Sequence, residues 1–405
     1  MIILNENQYF KRHKYKLFPT VEESFYMEQC IGMNNYVYNW ALDMEKNQLE
    51  LYKEGKVEYS FLSEYDLKKL FTIVRSNHPE FKIFPRSIDR GAIRRAVTAF
   101  DRYMNHNLPN RYPVYKTEKS RTKSYSLRTD KFYVDHDRVR VDGLGRGNLV
   151  YLGFDTGLDR SFTYYNPTVV KDYFNQYWIC FSTVDNKPVL PNIKTEPIGI
   201  DLNARDDARI VLSNGIRFES PKNFRKAIIN VNNYHKNKFT PYLNRRAKWE
   251  QEHPNEHYEL SNSELKMFDI YHKRYARIAN LNDYFYNSSI MQIIHTNPEF
   301  IVIEDLNVTR MKKVKYIADD IHHAAFRMFR EILTTRCIQF NIPLYVVPET
   351  FESSKICSNC GYINSNFKDQ LIYNCPECGL SIDRDLNAAI NIRNYYYLED
   401  SIDTE

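Results

Sequence analysis

The chain is 405 residues long, with 43% hydrophobic and 26% charged residues. That balance excludes general disorder and leaves length for two or three domains, each able to bury a core. The net charge of +5 leans basic without choosing a partner. No apolar run reaches the roughly 18–20 residues that span a bilayer, and the opening MIILNENQYFKRHKYK lacks the long apolar core of a signal peptide. An intracellular, cytoplasmic protein without membrane attachment is expected, so its seven cysteines are read as reduced and not as a disulfide framework.

In chain order, YFKRHKYKLF is an extended piece closed by Pro19. Thr20 then caps a long helix whose apolar positions Phe25, Met27, Cys30, Ile31, Met33, Tyr38, Trp40 and Ala41 recur at helical spacing. SIDRGAIRRAVTAFDRYMNH, 87–106, predicts a second helix, and Arg86, Arg90 and Arg94 at fourfold spacing put three guanidinium groups on one face of it. That stripe has two readings: a nucleic-acid contact, or a solvated face whose Arg90 and Arg94 pair with Asp89 and Asp101. Between about 122 and 190 the pattern turns to short β-type runs such as SYSLRT, DRVRVDGLG, NLVYLGF and YWICFSTV, bounded by Gly, Asp and Asn. The first part is therefore expected to be a small β-barrel carrying a helical insertion. Lys187 to Pro197, with Pro188, Pro191 and Pro197, reads as a linker, and a separate α/β unit follows.

That second unit opens with IGIDLNARDDARIVLSNGIRF, 198–218. Ile198, Gly199 and Ile200 form an apolar strand end that places Asp201, and the period-two run ARIVLSNGIRF is broken by Asn214-Gly215, a hairpin signal. FIVIEDLNV, 300–308, is an apolar strand of the kind buried on both faces, ending in Glu304 and Asp305. A carboxylate at a buried strand end is costly without a cation. With the acidic helix start at Asp383 and Asp385, these groups read either as structural ion pairs or as oxygen ligands of shared divalent metal, the donor set of a two-metal phosphodiester hydrolase with an RNase H-like fold.

From Ser220 to Trp249 lie Lys222, Arg225, Lys226, Lys236, Lys238, Arg245, Arg246 and Lys248 with no Asp or Glu, and Phe224, Tyr234, Phe239, Tyr242 and Trp249 are interleaved. Alone, this window reads as a solvated helix face. A second basic run, RMKKVK at 310–315 with Lys312 and Lys313, follows the acidic strand end and turns the reading toward a polyanion.

Four cysteines carry the sharpest signal. Cys357 and Cys360 form one C-x2-C knuckle, Cys375 and Cys378 another, each followed by glycine, Gly361 and Gly379. One tetrahedral, structural Zn²⁺ is the expected occupant, supplying folding energy to a ribbon too small to bury a core. Cys30, Cys180 and Cys337 read as small buried hydrophobes.

The ordered set GIDLN, VIEDLNV, SSKICSNCG, NCPECG and DRDLNAAINI, with the N-terminal KLFPT, YVYNWAL and YPVYK, resembles the TnpB proteins, transposon-encoded RNA-guided DNA endonucleases ancestral to compact type V CRISPR effectors. The resemblance implies an α+β multidomain chain: a β-barrel wedge domain over 1–20 and 107–195, a helical recognition insert over 21–106, a RuvC nuclease domain over 196–350 and 380–405, and a zinc ribbon inserted at 351–379. It implies Asp201, Glu304 and Asp385 as catalytic ligands of two Mg²⁺ ions, with Asp385 favoured over Asp383, which caps the helix. Asn203 departs from the family's usual glycine and is expected to leave the metal ligands untouched. The implied partners are a guide RNA derived from a transposon end and double-stranded target DNA, bound by a protein monomer in a nucleoid-associated, prokaryotic-type ribonucleoprotein. The basic residues named above, Arg86, Arg90, Arg94, Arg225, Lys226, Lys236, Lys238, Arg245, Arg246, Lys312 and Lys313, are the candidate nucleic-acid contacts. Three rival readings stand beside it. A compact type V CRISPR effector shares the chemistry, an RNA-guided repressor of the same lineage should have lost carboxylates, and a zinc-ribbon transcription factor leaves Asp201 and Glu304 unused.

Overall fold

The structure, a computed structural model, describes residues 4–104, 112–117, 123–144, 149–172, 175–254, 256, 258–305, 325–348, 350–368 and 370–400. The chain divides into two compact units, Met1–Asn186 and Lys187–Glu405.

In the first unit, strand β1 (Gln8–Leu17) pairs antiparallel with β7 (Tyr177–Asn186) along its whole length, Gln8 opposite Asn186 and Leu17 opposite Tyr177. The opening strand thus closes onto the last strand of its own unit. The sheet continues through β6 (Tyr165–Lys171) to β2 (Lys123–Ser126). A smaller sheet joins β3 (Val134–Asp135), β4 (Arg138–Arg140) and β5 (Leu149–Tyr151), linked to the end of β1 by a bridge from Phe18 to Tyr151. Period-two alternation along β7 turns Tyr177, Ile179, Phe181 and Thr183 inward.

Between β1 and β2 in sequence come helices α1 (Val21–Lys53), α2 (Glu64–Asn77) and α3 (Arg86–Met104). Helix α1 starts in a capping box: Thr20 accepts from the Glu23 N–H while Glu23 reaches back to the Thr20 N–H. Ser63 and Asp66 do the same for α2. The apolar faces of α1 and α3 share one core with the strands, joining Met27, Ile31 and Ala96 to Tyr125, Val139, Ile179 and Phe181.

The second unit is built on a five-stranded sheet. Its strands are β8 (Ile198–Leu202), β9 (Ile210–Leu212), β10 (Arg217–Phe218), β11 (Ile301–Glu304) and β12 (Leu344–Val347), in the spatial order β10-β9-β8-β11-β12. Counted from the first of these strands, the order is 3-2-1-4-5. The β8–β9–β10 ribbon is antiparallel, and β8, β11 and β12 run parallel, the RNase H-like arrangement. The hairpin turns at Gly215, whose φ of 88° is the left-handed conformation that Asn-Gly pairs supply.

Helices cover both faces, which is why β8 and β11 are continuously apolar. On one face Ile198, Ile200, Ile301 and Ile303 pack against α6 (Asn262–His295) and α7 (Phe326–Phe340) through Ile290, Ile294, Phe329 and Leu333. On the other lies α8 (Arg384–Asp400), which contributes Ile392 beside Phe300, Val302 and Val347, and Ala389 beside Val211. Gly199 makes this second contact close: a Cβ there would fall 2.1 Å from the Ala389 carbonyl oxygen. Before the sheet's second half run α4 (Phe224–Tyr234), a π-helical turn (His235–Phe239) and α5 (Thr240–Glu252).

Candidate metal centres

Two adjacent parallel strands set the acidic site. Ile200 is paired with Ile303, so Asp201 and Glu304 are the next residues along β8 and β11 and project from the same face. Asp201 also stands directly opposite Val211, which touches Ala389 of α8, so the shared face is the one that α8 covers. The first turn of α8 adds Asp385, 2% exposed.

Of the two aspartates at that helix start, Asp383 is taken by the backbone. Its Oδ1 accepts the N–H groups of Asp385 and Leu386, both at 3.0 Å, which is N-capping, and it pairs with Arg217 at 2.9 Å. Asp385 instead accepts from side chains: Arg384 at 2.9 Å and Arg205 at 3.2 Å. Arg205 also grips Asp207 at 2.6 Å.

Burial first, then the neighbouring charges of Asp385 and Glu304, push the Asp201 carboxyl up to about 7, while Asn203 and Arg384 pull the other way. Burial alone pushes Glu304 up to about 7. Asn203 corrects one expectation. Its Nδ2 donates to Asp201 Oδ2 at 2.8 Å, so it does touch the candidate ligand. The side chain two residues on from Asp201 falls on the same side at the strand end, within reach of the carboxylate. Buried, mutually repelling carboxylates with oxygen donors on one face fit a hard divalent cation, whose charge would offset burial and repulsion together.

The cysteine set is tighter. Among the described residues it is the one group of three or more Cys, His, Asp or Glu side chains whose ligand atoms all lie within 4.8 Å of one another. Cys357 and Cys378 sulfurs are 3.6 Å apart, as are Cys360 and Cys375. Tetrahedral Zn–S bonds of about 2.3 Å place sulfurs about 3.8 Å apart, so the site has the size of zinc. The hairpin of β13 (Ile372–Asn374) and β14 (Ser381–Asp383) carries the second knuckle at its turn and leads directly into α8. Tyr373, fully buried, packs beside Cys357 and Cys375.

The basic residues sort differently from the sequence expectation. In the 220–249 window, Arg246 is paired with Glu250 at 2.7 Å, Arg245 with Glu264 at 3.9 Å and Lys248 with Glu252 at 3.8 Å, so acids just outside the window offset its charge. The interleaved aromatics turn inward: Tyr242 is fully buried, and Phe239 stacks on Tyr271 at 4.5 Å. Arg225, Lys226, Lys236 and Lys238 remain on the surface. Lys312 and Lys313 lie outside the described residues.

On α3, Arg86, Arg90 and Arg94 are all exposed, and Asp89, which feels the Arg86 charge, has its ion pair elsewhere. It is buried and paired with Arg75 at 2.6 Å, because α2 packs on that side of the helix. Arg94 approaches Glu64 at 3.4 Å. Arg86 and Arg90 line a cavity of about 340 Å³ with Lys68 and Lys69, and a second of about 300 Å³ with Lys82 and Arg128. Those four partners come from three segments, and no single stretch of sequence announces them.

These features define a class: an RNase H-like α/β domain with an inserted four-cysteine ribbon, preceded by a β-sheet and helical unit. The model of the family described as Cas12f1-like, TNB domain matches residues 326–392, and that of a helix-turn-helix domain matches residues 10–56. The second segment is here strand β1 and the single helix α1. A Streptomyces pristinaespiralis protein, provisionally named an RNA-guided DNA endonuclease, is 23% identical over 386 residues, covering 94% of this chain and 87% of its own. Among solved structures, Cas12f1 from its complex with single-guide RNA and target DNA matches with a TM-score of 0.56 at 14% identity, over 93% of this chain and 83% of that one. In these comparisons the chain is similar to Cas12f1-like proteins and to a protein named an RNA-guided DNA endonuclease. No helix among the described residues is long and apolar enough to cross a membrane.

Proposed function

We propose that the protein is an RNA-guided DNA endonuclease that cuts target DNA beside a short adjacent motif. One observation carries the reading: Asp201, Glu304 and Asp385 converge on one face of an RNase H-like sheet, with Asp201 and Asp385 buried. These carboxylates would hold two Mg²⁺ ions, which would supply activation of a water and stabilisation of the leaving oxygen in phosphodiester hydrolysis. The chain's own contribution is placement. The β8/β11 register aligns Asp201 with Glu304, Gly199 admits α8, Asp383 caps it, and Asn203 fixes the Asp201 rotamer.

The four cysteines hold one structural Zn²⁺. A guide RNA from a transposon end pairs with the target strand, and the protein, a monomer in the ribonucleoprotein, holds the heteroduplex by shape and charge on the cell's nucleoid. Arg86, Arg90 and Arg94 with Lys69 and Lys82 form one phosphate surface, in which the adjoining Lys68 and Arg128 are already paired with Glu64 and Asp130, and Arg225, Lys226, Lys236 and Lys238 form a second. All three carboxylates are retained and gathered, which favours a nuclease over an RNA-guided repressor.

The test is to purify the protein with its bound RNA, sequence that RNA, and challenge the complex with plasmids bearing the matching target beside randomised flanks. Mg²⁺-dependent cutting next to one enriched flank is expected. Absence of bound RNA, or cutting indifferent to it, would overturn the reading.

A further inference from the structure

Helix α8 carries two asparagines that the nuclease reading leaves without a task. Asn387 is 0% exposed and Asn391 5%. Asparagine is a poor helix former, and a buried primary amide is costly unless its hydrogen bonds are made. Here they are made, and all in one place. Asn387 Nδ2 donates to the Ile356 carbonyl at 2.7 Å while its Oδ1 accepts the Ser358 N–H at 2.9 Å. Asn391 Nδ2 donates to the same Ile356 carbonyl at 2.7 Å and to the Ser353 carbonyl at 2.8 Å.

The two side chains stand one helical turn apart on one face, and their four bonds end on residues 353–358. That segment enters the first zinc knuckle, and Ser358 sits between Cys357 and Cys360. The Arg384 N–H, at the start of α8, donates to the Leu371 carbonyl beside the ribbon's β13. Asp385 lies between these fastenings, two residues before Asn387.

We propose that Asn387 and Asn391 are positioning residues that couple the zinc ribbon to the first turn of α8, so that zinc occupancy sets where Asp385 stands. A ribbon of this size has little core beyond Tyr373 and its neighbours. Without zinc, segment 353–358 loses its fixed path, the two amides lose their partners, and the helix start is released. Alanine at either position removes two of the four bonds while leaving the four sulfur ligands in place.

Hydrogen exchange of residues 385–392 tests this independently of activity, in the full chain with zinc and after chelation. In the wild type, chelation should speed exchange there at least tenfold. In zinc-replete Asn387→Ala and Asn391→Ala, exchange should already be fast, and chelation should add little. Wild-type exchange unchanged by chelation, or zinc-replete variants with wild-type protection, would overturn the proposal; the chelation arm needs no variant and stands even where one fails to fold. The activity arm rests on the nuclease reading: the variants should cut at least tenfold more slowly with guided DNA binding retained. A wild type that does not cut at all refutes the nuclease reading and leaves the exchange result to decide the coupling.

Discussion

Replacing Gly199 by alanine would test how sheet and helix together set the acidic site. The added methyl would lie 2.1 Å from the Ala389 carbonyl oxygen, 2.5 Å from the Arg393 nitrogen and 2.8 Å from Arg393 Cβ, whereas real Cβ atoms essentially never come within 3.0 Å of another heavy atom. The obstructing atoms are mostly helix backbone, which cannot rotate aside, so α8 must retreat from β8 by roughly 1 Å. Overpacking of this kind costs about 1–3 kcal/mol, and a domain of this size loses roughly 2–4 °C per kcal/mol. The functional cost should be larger. Asp385 rides on the same helix, and misplacing a reacting group by about 1 Å can lower a rate on the order of 10²-fold. Single-turnover cleavage with a programmed guide should therefore fall about a hundredfold, with zinc content and guided binding preserved. Gly32 is the matched control. It sits exposed within α1 with nothing within 4 Å of a built Cβ, so Gly32→Ala should stabilise by about 0.5–1 kcal/mol and leave cleavage alone. Wild-type cleavage and melting in Gly199→Ala would refute the close-packing argument.

Asp201→Ala, Glu304→Ala and Asp385→Ala should each abolish cleavage while guided binding persists. Asp383→Ala should instead cost about 1 kcal/mol of helix capping and keep most activity; a dead Asp383→Ala with an active Asp385→Ala would reverse their roles. Cys357→Ser should lower the metal content from about one zinc per chain and reduce cutting, and elemental analysis finding no zinc in active wild-type protein would refute the site. Asp201 and Glu304 keep their protons in the folded, metal-free protein up to about pH 7, whereas unfolded carboxyls lose them near pH 4, at about 3.9 and 4.3. The folded state thus binds more protons between those limits, and metal-free stability should fall as pH rises from about 4 to 7. Asp201→Asn removes part of that penalty and should melt above wild type at pH 8 in calorimetry without divalent metal; a lower melting point would contradict the sign.

Much of this is legible in the sequence because it depends on local pattern. Continuous apolar runs mark β8 and β11 as doubly covered strands, Asn214-Gly215 marks the hairpin, and Thr20 with Glu23 marks the start of α1. Knuckle spacing singles out, before any fold is known, the four cysteines that the fold gathers. Ser63 and Asp66 are an equally good start signal for α2, yet the helical patterns singled out around it leave it undistinguished. Strand register lies beyond such reading. That Asp201 and Glu304 project side by side follows from Ile200 pairing with Ile303 across about a hundred residues of sequence, which no local pattern specifies.

Charge is where counting along the chain misleads most, because an ion pair is a property of surfaces. The 220–249 window is the most basic stretch by count, but a helix places acids three and four residues away beside its cations, and α6 brings Glu264 to Arg245. Asp89 is next to Arg90 in sequence, but successive helix residues diverge by about 100°, so it turns inward to Arg75 on α2 and leaves the α3 arginines facing outward. Their cationic neighbours Lys68, Lys69, Lys82 and Arg128 come from other segments. A phosphate surface of this kind is assembled by packing, so the number of salt-sensitive contacts should follow the cavity linings and not the local charge count. Removing Arg86 or Arg90 should flatten the salt dependence of target binding by about one per contact, and removing Arg246, already held by Glu250, should leave it nearly unchanged.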